Sequence, residues 1–359
     1  MKEGNPMSTN ESPTQEQILK ALQTVNDPEL HKDIVSLGMV KSVTTCDGHV
    51  QLNIALTTPA CPLKNTIRNG IEAAVRQLPG VQQVDIEFSA QVRGPATEYA
   101  NLPGVKNIVA IGSGKGGVGK STVSVLTAVG LARAGAKVGL LDADVYGPSI
   151  PKMLGVEDAQ PIMGSDQKIL PIEIHGLKLM SIGFLIEPDR PVIWRGPMIH
   201  GTVKQFLDQV DWGELDYLIV DLPPGTGDVP LTLSQALPMM GGVIVCTPQD
   251  VALLDAVRAT KMYQHLNIKI LGIIENMSYF IAPDTGKEYD LFGKGGAEKV
   301  AAQLKVPFLG SIPINIAIRI SGDQGTPNTL FDEDSQGIGQ AVTQVVESLA
   351  AQISVRNIT

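Results

Sequence analysis

The sequence contains little cysteine, and this limits the kinds of protein that it can encode. Three cysteines, Cys46, Cys61 and Cys246, are spread over 359 residues. Because they are few, distant from one another and odd in number, a disulfide framework is not expected. The five histidines are scattered without a pair at metal-ligand spacing, so none of them is predicted to hold a metal ion.

Long apolar runs and an excess of basic residues are absent as well. No run of about 18 apolar residues occurs, so we expect no membrane span. The formal net charge of -9 disfavours DNA and RNA as partners, because nucleic-acid-binding proteins usually present a basic face. The polar N-terminal stretch has no apolar segment of the kind found in secretory signals, and we expect a cytoplasmic protein.

The strongest positive signal is a glycine-rich loop, GSGKGGVGKST, at residues 112–122. The segment 107–111 before it is typical of a buried strand, and Val123–Ala134 after it is typical of a helix. Such a connection turns several backbone N–H groups toward one phosphate, which the positive helix end also attracts. The G-x-x-x-x-G-K-S pattern predicts that Lys120 reaches the β- and γ-phosphates and that Ser121 holds Mg²⁺. The predicted nucleotide-binding residues of the loop are Gly114, Lys115, Gly116, Gly117, Val118, Gly119, Lys120, Ser121 and Thr122.

Charged residues stand in the loop itself and at the ends of other apolar segments. Asp142 and Asp144 end one such segment, a position that suits Mg²⁺ organisation or the positioning of water. Asp221 ends another, in the place of a Walker B carboxylate. An ordinary phosphate loop does not need Lys115, five residues before Lys120. We expect Lys115 to point toward a facing subunit and to act on its nucleotide as an arginine finger does.

The pattern of apolar segments divides the chain into two domains. It predicts a disordered tail at 1–13, a small α+β domain at 14–90, a linker at 91–105 and a larger domain at 106–352. Asp47–Gly48 in the small domain predicts a hairpin turn. The strand candidates of the larger domain are Ile108–Ile111, Val138–Leu141, Lys178–Ile182, Tyr217–Val220, Val243–Cys246, Ile270–Ile274 and Phe308–Ile312. Their alternation with helices predicts an α/β fold, in which a mostly parallel sheet is flanked by helices and binds ligands at the carboxyl ends of its strands.

Cys61 is the cysteine with the strongest case for a chemical role. It precedes Pro62, and a helix is predicted from Pro62 to about Leu78, because proline is favoured at the first helical position. Cys61 would then cap this helix, where the positive end favours the thiolate as a nucleophile or metal ligand. A capping or packing role without chemistry is the alternative. For Cys246, which follows apolar strand residues, we expect buried packing.

These residues resemble a known family. GKGGVGKS at 114–121 resembles the deviant Walker A motif of the SIMIBI-class P-loop ATPases, which include MinD, ParA and the nitrogenase iron protein. The motifs that resemble the Mrp/ApbC iron–sulfur cluster carriers are LLDADVYGPSIPKMLG (140–155), WRGPM (194–198), DLPPGTGD (221–228), TPQDVALLDAVRA (247–259), ENMSYF (275–280) and FGKGGAEKVA (292–301). VNDPEL (25–30) and TTPACP (57–62) are similar to the PaaD and SufT proteins of iron–sulfur assembly.

The resemblance implies a homodimer that binds ATP and hydrolyses it with Mg²⁺. It also implies a labile [4Fe–4S] cluster held between the subunits and handed to apo-proteins. Asn276 is implied to contact the nucleotide base. The implied catalytic residues are Lys115, Lys120, Asp144 and Asp221. The implied Mg²⁺ ligands, direct or through water, are Ser121, Asp142 and Asp221.

The sequence departs from this family at one motif. Its members carry a Cys-x-x-Cys pair shortly after the Asn-Met-Ser segment, and two such pairs across a dimer axis supply the four thiolates of a [4Fe–4S] cluster. Ala282 and Thr285 stand at those places here, and neither can ligate iron. Cys61 offers one thiolate per subunit, so a dimer could contribute two. Exogenous thiols or a bridging [2Fe–2S] cluster would complete such a site.

Two other functions stay open. A MinD- or ParA-like ATPase would act as a positioning switch without a cluster. MinD-like proteins use a basic amphipathic helix at a membrane, whereas the segment 337–359 has one arginine and no lysine. ParA-like proteins need a basic surface for DNA, which the net charge disfavours. The missing cysteine pair keeps open a regulatory or scaffold ATPase that has lost its metal.

Overall fold

The protein forms two compact units in a computed structural model. The structure describes residues 12–95, 99, 102–185, 196–332 and 337–358. Among these residues, one unit contains 12–92 and 354–358, and the other lies within Arg93–Ile353. Most of the predicted tail and part of the predicted linker lie outside the described residues.

The small unit is built from a three-stranded sheet and two helices. Its elements are α1 (Gln15–Leu22), β1 (Asn26–Asp27), β2 (Lys32–Asp33), β3 (Val40–Cys46), β4 (His49–Leu56), α2 (Lys64–Arg76) and β5 (Gln83–Ala90). Strands β3 and β4 pair antiparallel through Asp47 and Gly48, both at positive φ, which confirms the predicted hairpin turn. Strand β5 pairs parallel with β4 after the crossover through α2. Ile67, Ile71 and Val75 recur every four residues along α2 and are buried in the core.

The predicted start of helix α2 is wrong. The helix begins at Lys64 with Leu63 as its N-cap, and Cys61 lies in the preceding turn. The Lys64 N–H donates to the Cys61 carbonyl at 3.4 Å, and the bond from Ile67 N–H to Leu63 C=O at 2.9 Å opens the helical pattern. Because this turn occupies residues 61–64, Pro62 stands before the helix, and Cys61 does not cap it.

The large unit contains an eight-stranded, mostly parallel sheet, as predicted. Its strands are β6 (Val105–Ser113), β7 (Val138–Asp142), β8 (Ile172–Ile174), β9 (Leu177–Ser181), β10 (Leu215–Asp221), β11 (Gly241–Cys246), β12 (Ile270–Glu275) and β15 (Phe308–Ser311). Their order is β15-β12-β11-β6-β10-β7-β9-β8, and the neighbours pair parallel except for β8 with β9. A separate hairpin of β13 (Phe280–Ile281) and β14 (Glu288–Tyr289) lies outside this sheet.

Helices connect these strands and cover the sheet. They are α3 (Lys120–Arg133), α4 (Ile150–Met153), α5 (Gly196–Gln209), α6 (Asp228–Ala236), α7 (Asp250–His265), α8 (Gly296–Leu304), α9 (Ile316–Gln324) and α10 (Ile338–Ile358). Helix α3 is apolar around most of its circumference and is correspondingly buried. Apolar side chains of α10, such as Val342, Val345 and Leu349, are buried as well. None of the helices in the described part of the chain is long and apolar enough to cross a membrane.

The sheet order brings the polar strand ends together. Strand β10 lies between β6 and β7, and Asp221 at its end pairs in register with Ile111 on one side and Asp142 on the other. Because parallel strands end at the same edge, the loop after β6 and the carboxylates of β7 and β10 meet there.

Helix α5 offers a test of the core. Phe206 is 1% exposed and Met198, on the same helix, is 51% exposed. We expect Phe206→Ala to lower the free energy of unfolding of the large unit by about 3–5 kcal/mol, because it leaves a cavity. Met198→Ala, the matched control, should change it by less than about 0.5 kcal/mol. Urea unfolding followed by circular dichroism measures both, and equal effects would contradict this packing.

Candidate functional site

The glycine-rich loop between β6 and α3 packs closely against two neighbouring elements. A Cβ on Gly114 would lie 2.2 Å from the carbonyl oxygen of Asp255 in α7. A Cβ on Gly119, which has φ of 79°, would lie 2.2 Å from Nδ2 of Asn276. The loop therefore needs glycine at both positions to take this path.

Asp221 lies at the centre of the site and is fully buried. Its Oδ2 accepts hydrogen bonds from Lys120 Nζ and from Ser121 Oγ, both at 2.7 Å. Its Oδ1 accepts from Ser124 Oγ at 2.6 Å. All three donors lie in the first turns of α3, so this carboxylate ties the helix start to β10. Ser124 was not predicted; its spacing of three residues from Ser121 on a helix was the available signal.

Asp142, the last residue of β7, and Asp144, in the loop that follows it, flank Lys120 and Asp221. Asp144 Oδ2 lies 3.3 Å from Lys120 Nζ. Burial raises the pKa of Asp144, and the Lys120 ammonium opposes this shift. Burial and the charge of Asp221 raise the pKa of Asp142 to about 7. The site is thus a buried cluster of carboxylates that a single ammonium partly compensates.

Asp142 organises the loop that follows it. Its carboxylate accepts hydrogen bonds from the backbone N–H groups of Asp144 and Ile150, at 3.2 and 3.3 Å. It also accepts from Ser181 Oγ, at the end of β9, at 2.9 Å. These contacts favour a positioning role, and the predicted contact of Asp142 with Mg²⁺ stays a prediction. Ser181 was missed because a lone serine after an apolar strand carries no recognisable pattern.

Asn276 and Lys115 take different positions around the loop. Asn276, directly after β12, donates from Nδ2 to the carbonyl of Val118 at 2.8 Å. Lys115 is half-buried, and its side chain makes no ion pair within the described residues. Its backbone carbonyl accepts from Ser113 Oγ at 2.9 Å. The Lys115 ammonium is therefore not engaged by the carboxylates that hold Lys120.

A largely apolar cavity of about 600 Å³ opens beside the loop. Thr122 and Asn276 form its end near the loop, and Pro313 and Ile314 follow the end of β15. Its lining also includes Met277, Leu291, Phe292 and Ile318. An apolar cavity joined to a phosphate loop has the chemistry for a nucleoside: the flat base against apolar walls and the phosphates at the loop.

The three cysteines differ in their exposure, from exposed Cys46 to buried Cys246. No group of three or more His, Cys, Asp or Glu side chains in the parts of the chain that are described could hold a metal ion. Ala282 and Thr285 lie in the turn between β13 and β14. Burial and the neighbouring Glu275 raise the pKa of Cys246 to about 12, so this thiol stays protonated and is a packing residue as expected. Cys61 is half-buried and belongs to the small unit.

The sequence matches two family models. Residues 104–350 match the family described as NUBPL iron-transfer P-loop NTPase. The chain belongs to this family. Residues 15–87 match the iron–sulfur cluster assembly protein family. The predicted resemblance to iron–sulfur carriers of the P-loop class, with a small assembly domain before the NTPase, is thereby confirmed.

Relatives of this iron-transfer P-loop NTPase extend over nearly its whole length. An iron–sulfur cluster carrier protein of Deinococcus radiodurans is 53% identical and covers 95% of this chain and 96% of its own length. One of Synechocystis sp. is 50% identical over 95% of this chain and 98% of its own. The chloroplastic Fe–S cluster assembly factor HCF101 of Arabidopsis thaliana is 41% identical over 95% of this chain and 66% of its own.

Solved structures resemble the large unit. A nucleotide-binding protein of Archaeoglobus fulgidus in complex with ADP is 41% identical, with a TM-score of 0.58 over 66% of this chain and 92% of its own. The cell division ATPase MinD of Pyrococcus furiosus has a TM-score of 0.51 at 21% identity, over 67% of this chain and 97% of its own, and shares the fold.

The structure brings together part of the predicted site of this iron-transfer P-loop NTPase. Lys120, Ser121, Asp144 and Asp221 converge at one edge of the sheet, with Asn276 against the loop. Their roles toward a ligand stay predictions. Trp194 and Arg195 of the WRGPM motif lie outside the described residues.

Removing the buried cation tests this charge cluster. We expect Lys120→Met to lower the free energy of unfolding by about 3–5 kcal/mol at pH 8, because it leaves buried carboxylates without their ammonium. Lys120 lowers the pKa of Asp142 and Asp144, so both should titrate at higher pH in the variant. A carboxyl whose pKa is raised in the folded state lowers the free energy of unfolding as pH rises through that pKa. The difference in stability between the variant and wild type should therefore be smaller at pH 5.

Thermal and urea unfolding at both pH values, without nucleotide, measure this effect. Lys137→Met, at an exposed lysine of the same unit, is the control and should be neutral at both. If Lys120→Met were as stable as wild type at pH 8, or if its loss of stability grew toward pH 5, the proposed charge compensation by Lys120 would be contradicted.

Proposed function

We propose that the protein binds ATP with Mg²⁺, hydrolyses it, and carries iron–sulfur clusters to apo-proteins. The observation that carries the nucleotide part is the joint attachment of Lys120 and Ser121 to the buried carboxylate of Asp221 beneath the glycine-rich loop. In the proposed site they would serve as the phosphate lysine, the magnesium hydroxyl and the Walker B carboxylate. The second part, the transport of iron–sulfur clusters as cargo, is supported by the relatives that are named iron–sulfur cluster carrier proteins.

The phosphates of the nucleotide would occupy the loop, and the base would occupy the adjoining cavity. Lys120 would exchange part of its pairing with Asp221 for the β- and γ-phosphates. Ser121 and Asp221 provide oxygen donors, the chemistry that Mg²⁺ prefers, and would hold this ion directly or through water. When bound, Mg²⁺ would neutralise charge that develops on the phosphate oxygens.

Hydrolysis would proceed by in-line attack of water on the γ-phosphate. Asp144, whose Oδ2 lies 3.3 Å from Lys120 Nζ, would orient this water. The chain would act as a homodimer, and Lys115 would reach the nucleotide of the partner. Lys115 is half-buried, and no carboxylate within the described residues forms an ion pair with its ammonium, which supports this role.

The chain itself would supply few of the thiolate ligands of the iron–sulfur cluster. The Cys-x-x-Cys positions carry Ala282 and Thr285, and Cys246 is protonated and buried. Cys61 is the half-buried thiol of the domain that matches the iron–sulfur cluster assembly family. We propose that Cys61 from two chains supplies two cluster ligands, for a [4Fe–4S] or [2Fe–2S] cluster completed by exogenous thiols.

Lys115→Ala tests the role across the dimer. We expect it to lower kcat for ATP hydrolysis about a thousand-fold, as loss of an arginine finger does, while the Kd for ATP changes by less than about threefold. Phosphate release and isothermal calorimetry measure the two quantities. Lys137→Ala is the control, and normal turnover by Lys115→Ala would refute the proposed role.

Cys61→Ser tests the cargo site. After anaerobic reconstitution with iron and sulfide, we expect wild type and Cys46→Ser to bind similar iron and to show the same charge-transfer absorption. Cys61→Ser should lose most of both, because two thiolates per dimer disappear. Cys46 is exposed in the same domain and is therefore the matched control. Equal iron in all three proteins would exclude Cys61 as a ligand.

A further inference from the structure

The segment that stands in place of the cysteine pair is fastened at both ends to one buried carboxylate. Glu275, at the end of β12, is fully buried. It accepts hydrogen bonds from the Ser278 hydroxyl at one end of the segment. At the other end it accepts from the backbone N–H groups of Gly295 and Ala297, at 2.9 and 2.8 Å. We call residues 279–294 between these attachments the strap.

The strap is held in shape by its own contacts. Phe280 pairs with Tyr289 in the β13–β14 hairpin. The Lys294 ammonium forms an ion pair with Glu288 and lies 4.7 Å from the centre of the Tyr279 ring. These contacts link the start, the middle and the end of the strap and fix its path.

Two large apolar side chains of the strap face the cavity beside the phosphate loop. Leu291 and Phe292 line this cavity, and they are 55% and 43% exposed. Met277, Pro313 and Ile318 form other parts of the same lining. The strap therefore presents apolar surface to the cavity that the rest of the protein does not cover.

The cavity itself indicates what would cover these side chains. It continues from Thr122, two residues after Lys120, past Asn276 to the strap. A phosphate bound at Lys120 therefore has its nucleoside directed into this space. An aromatic ring at the mouth of an apolar cavity suits stacking on the flat face of a purine.

We propose that Leu291 and Phe292 close the base pocket, so that the strap grips the purine of the bound nucleotide. This inference rests on the nucleotide site proposed above. It gives the segment that has lost its cysteines a binding role of its own.

Calorimetric titrations with Mg–ADP and with Mg–tripolyphosphate separate the base from the phosphates. We expect Phe292→Ala to weaken ADP about tenfold and to leave tripolyphosphate within about twofold of wild type, because stacking on the base is lost and the loop is untouched. Phe292→Tyr keeps the ring and should restore ADP affinity. Ile162→Ala, at an apolar side chain that is 66% exposed away from the cavity, is the control and should bind both ligands normally.

Two results would refute the proposed role of the strap and leave the proposed nucleotide site intact. In the first, Phe292→Ala binds ADP as tightly as wild type. In the second, it weakens ADP and tripolyphosphate equally, which would mean that Phe292 acts through the loop rather than on the base. Failure of wild type itself to bind either ligand would instead refute the proposed nucleotide site, and the strap with it.

Discussion

The buried carboxylate of Asp221 is the constraint on which the candidate site depends. A charge without water is tolerated only when several donors satisfy it, and here Lys120, Ser121 and Ser124 do so from the start of one helix. The glycine-rich loop is thereby fixed against β10 before any ligand arrives. In the proposed nucleotide site, the affinity would reflect the difference in free energy between two pairings of Lys120, one with carboxylates and one with phosphates.

The fold and the centre of the site could be predicted because both are encoded in short patterns. The loop sequence fixes the spacing of Lys120 and Ser121, and the rule that parallel strands end at one edge brings Asp221 beside them. Ser124 and Ser181 were missed because the carboxylates that they contact, Asp221 and Asp142, are distant in sequence. The start of α2 was misjudged because a backbone turn at Cys61, rather than the preference of Pro62, sets it.

The scarcity of thiols affects how the proposed cargo could move. A cluster held by one cysteine from each of two chains would have two of its four ligands supplied from outside. Delivery would then be an exchange of small thiols for the cysteines of the receiving protein, rather than the release of a fully enclosed cluster. The membership of the chain in an iron-transfer family is compatible with such a loosely held cargo.

The attachment of both ends of the strap to Glu275 has a consequence for the evolution of this fold. Since β12 and α8 are joined through that carboxylate, the stretch between them can vary in length and sequence without displacing either element. The strap is in this sense an exchangeable cassette. One lineage can use it to ligate metal and another can use it for a different task, on an otherwise unchanged frame.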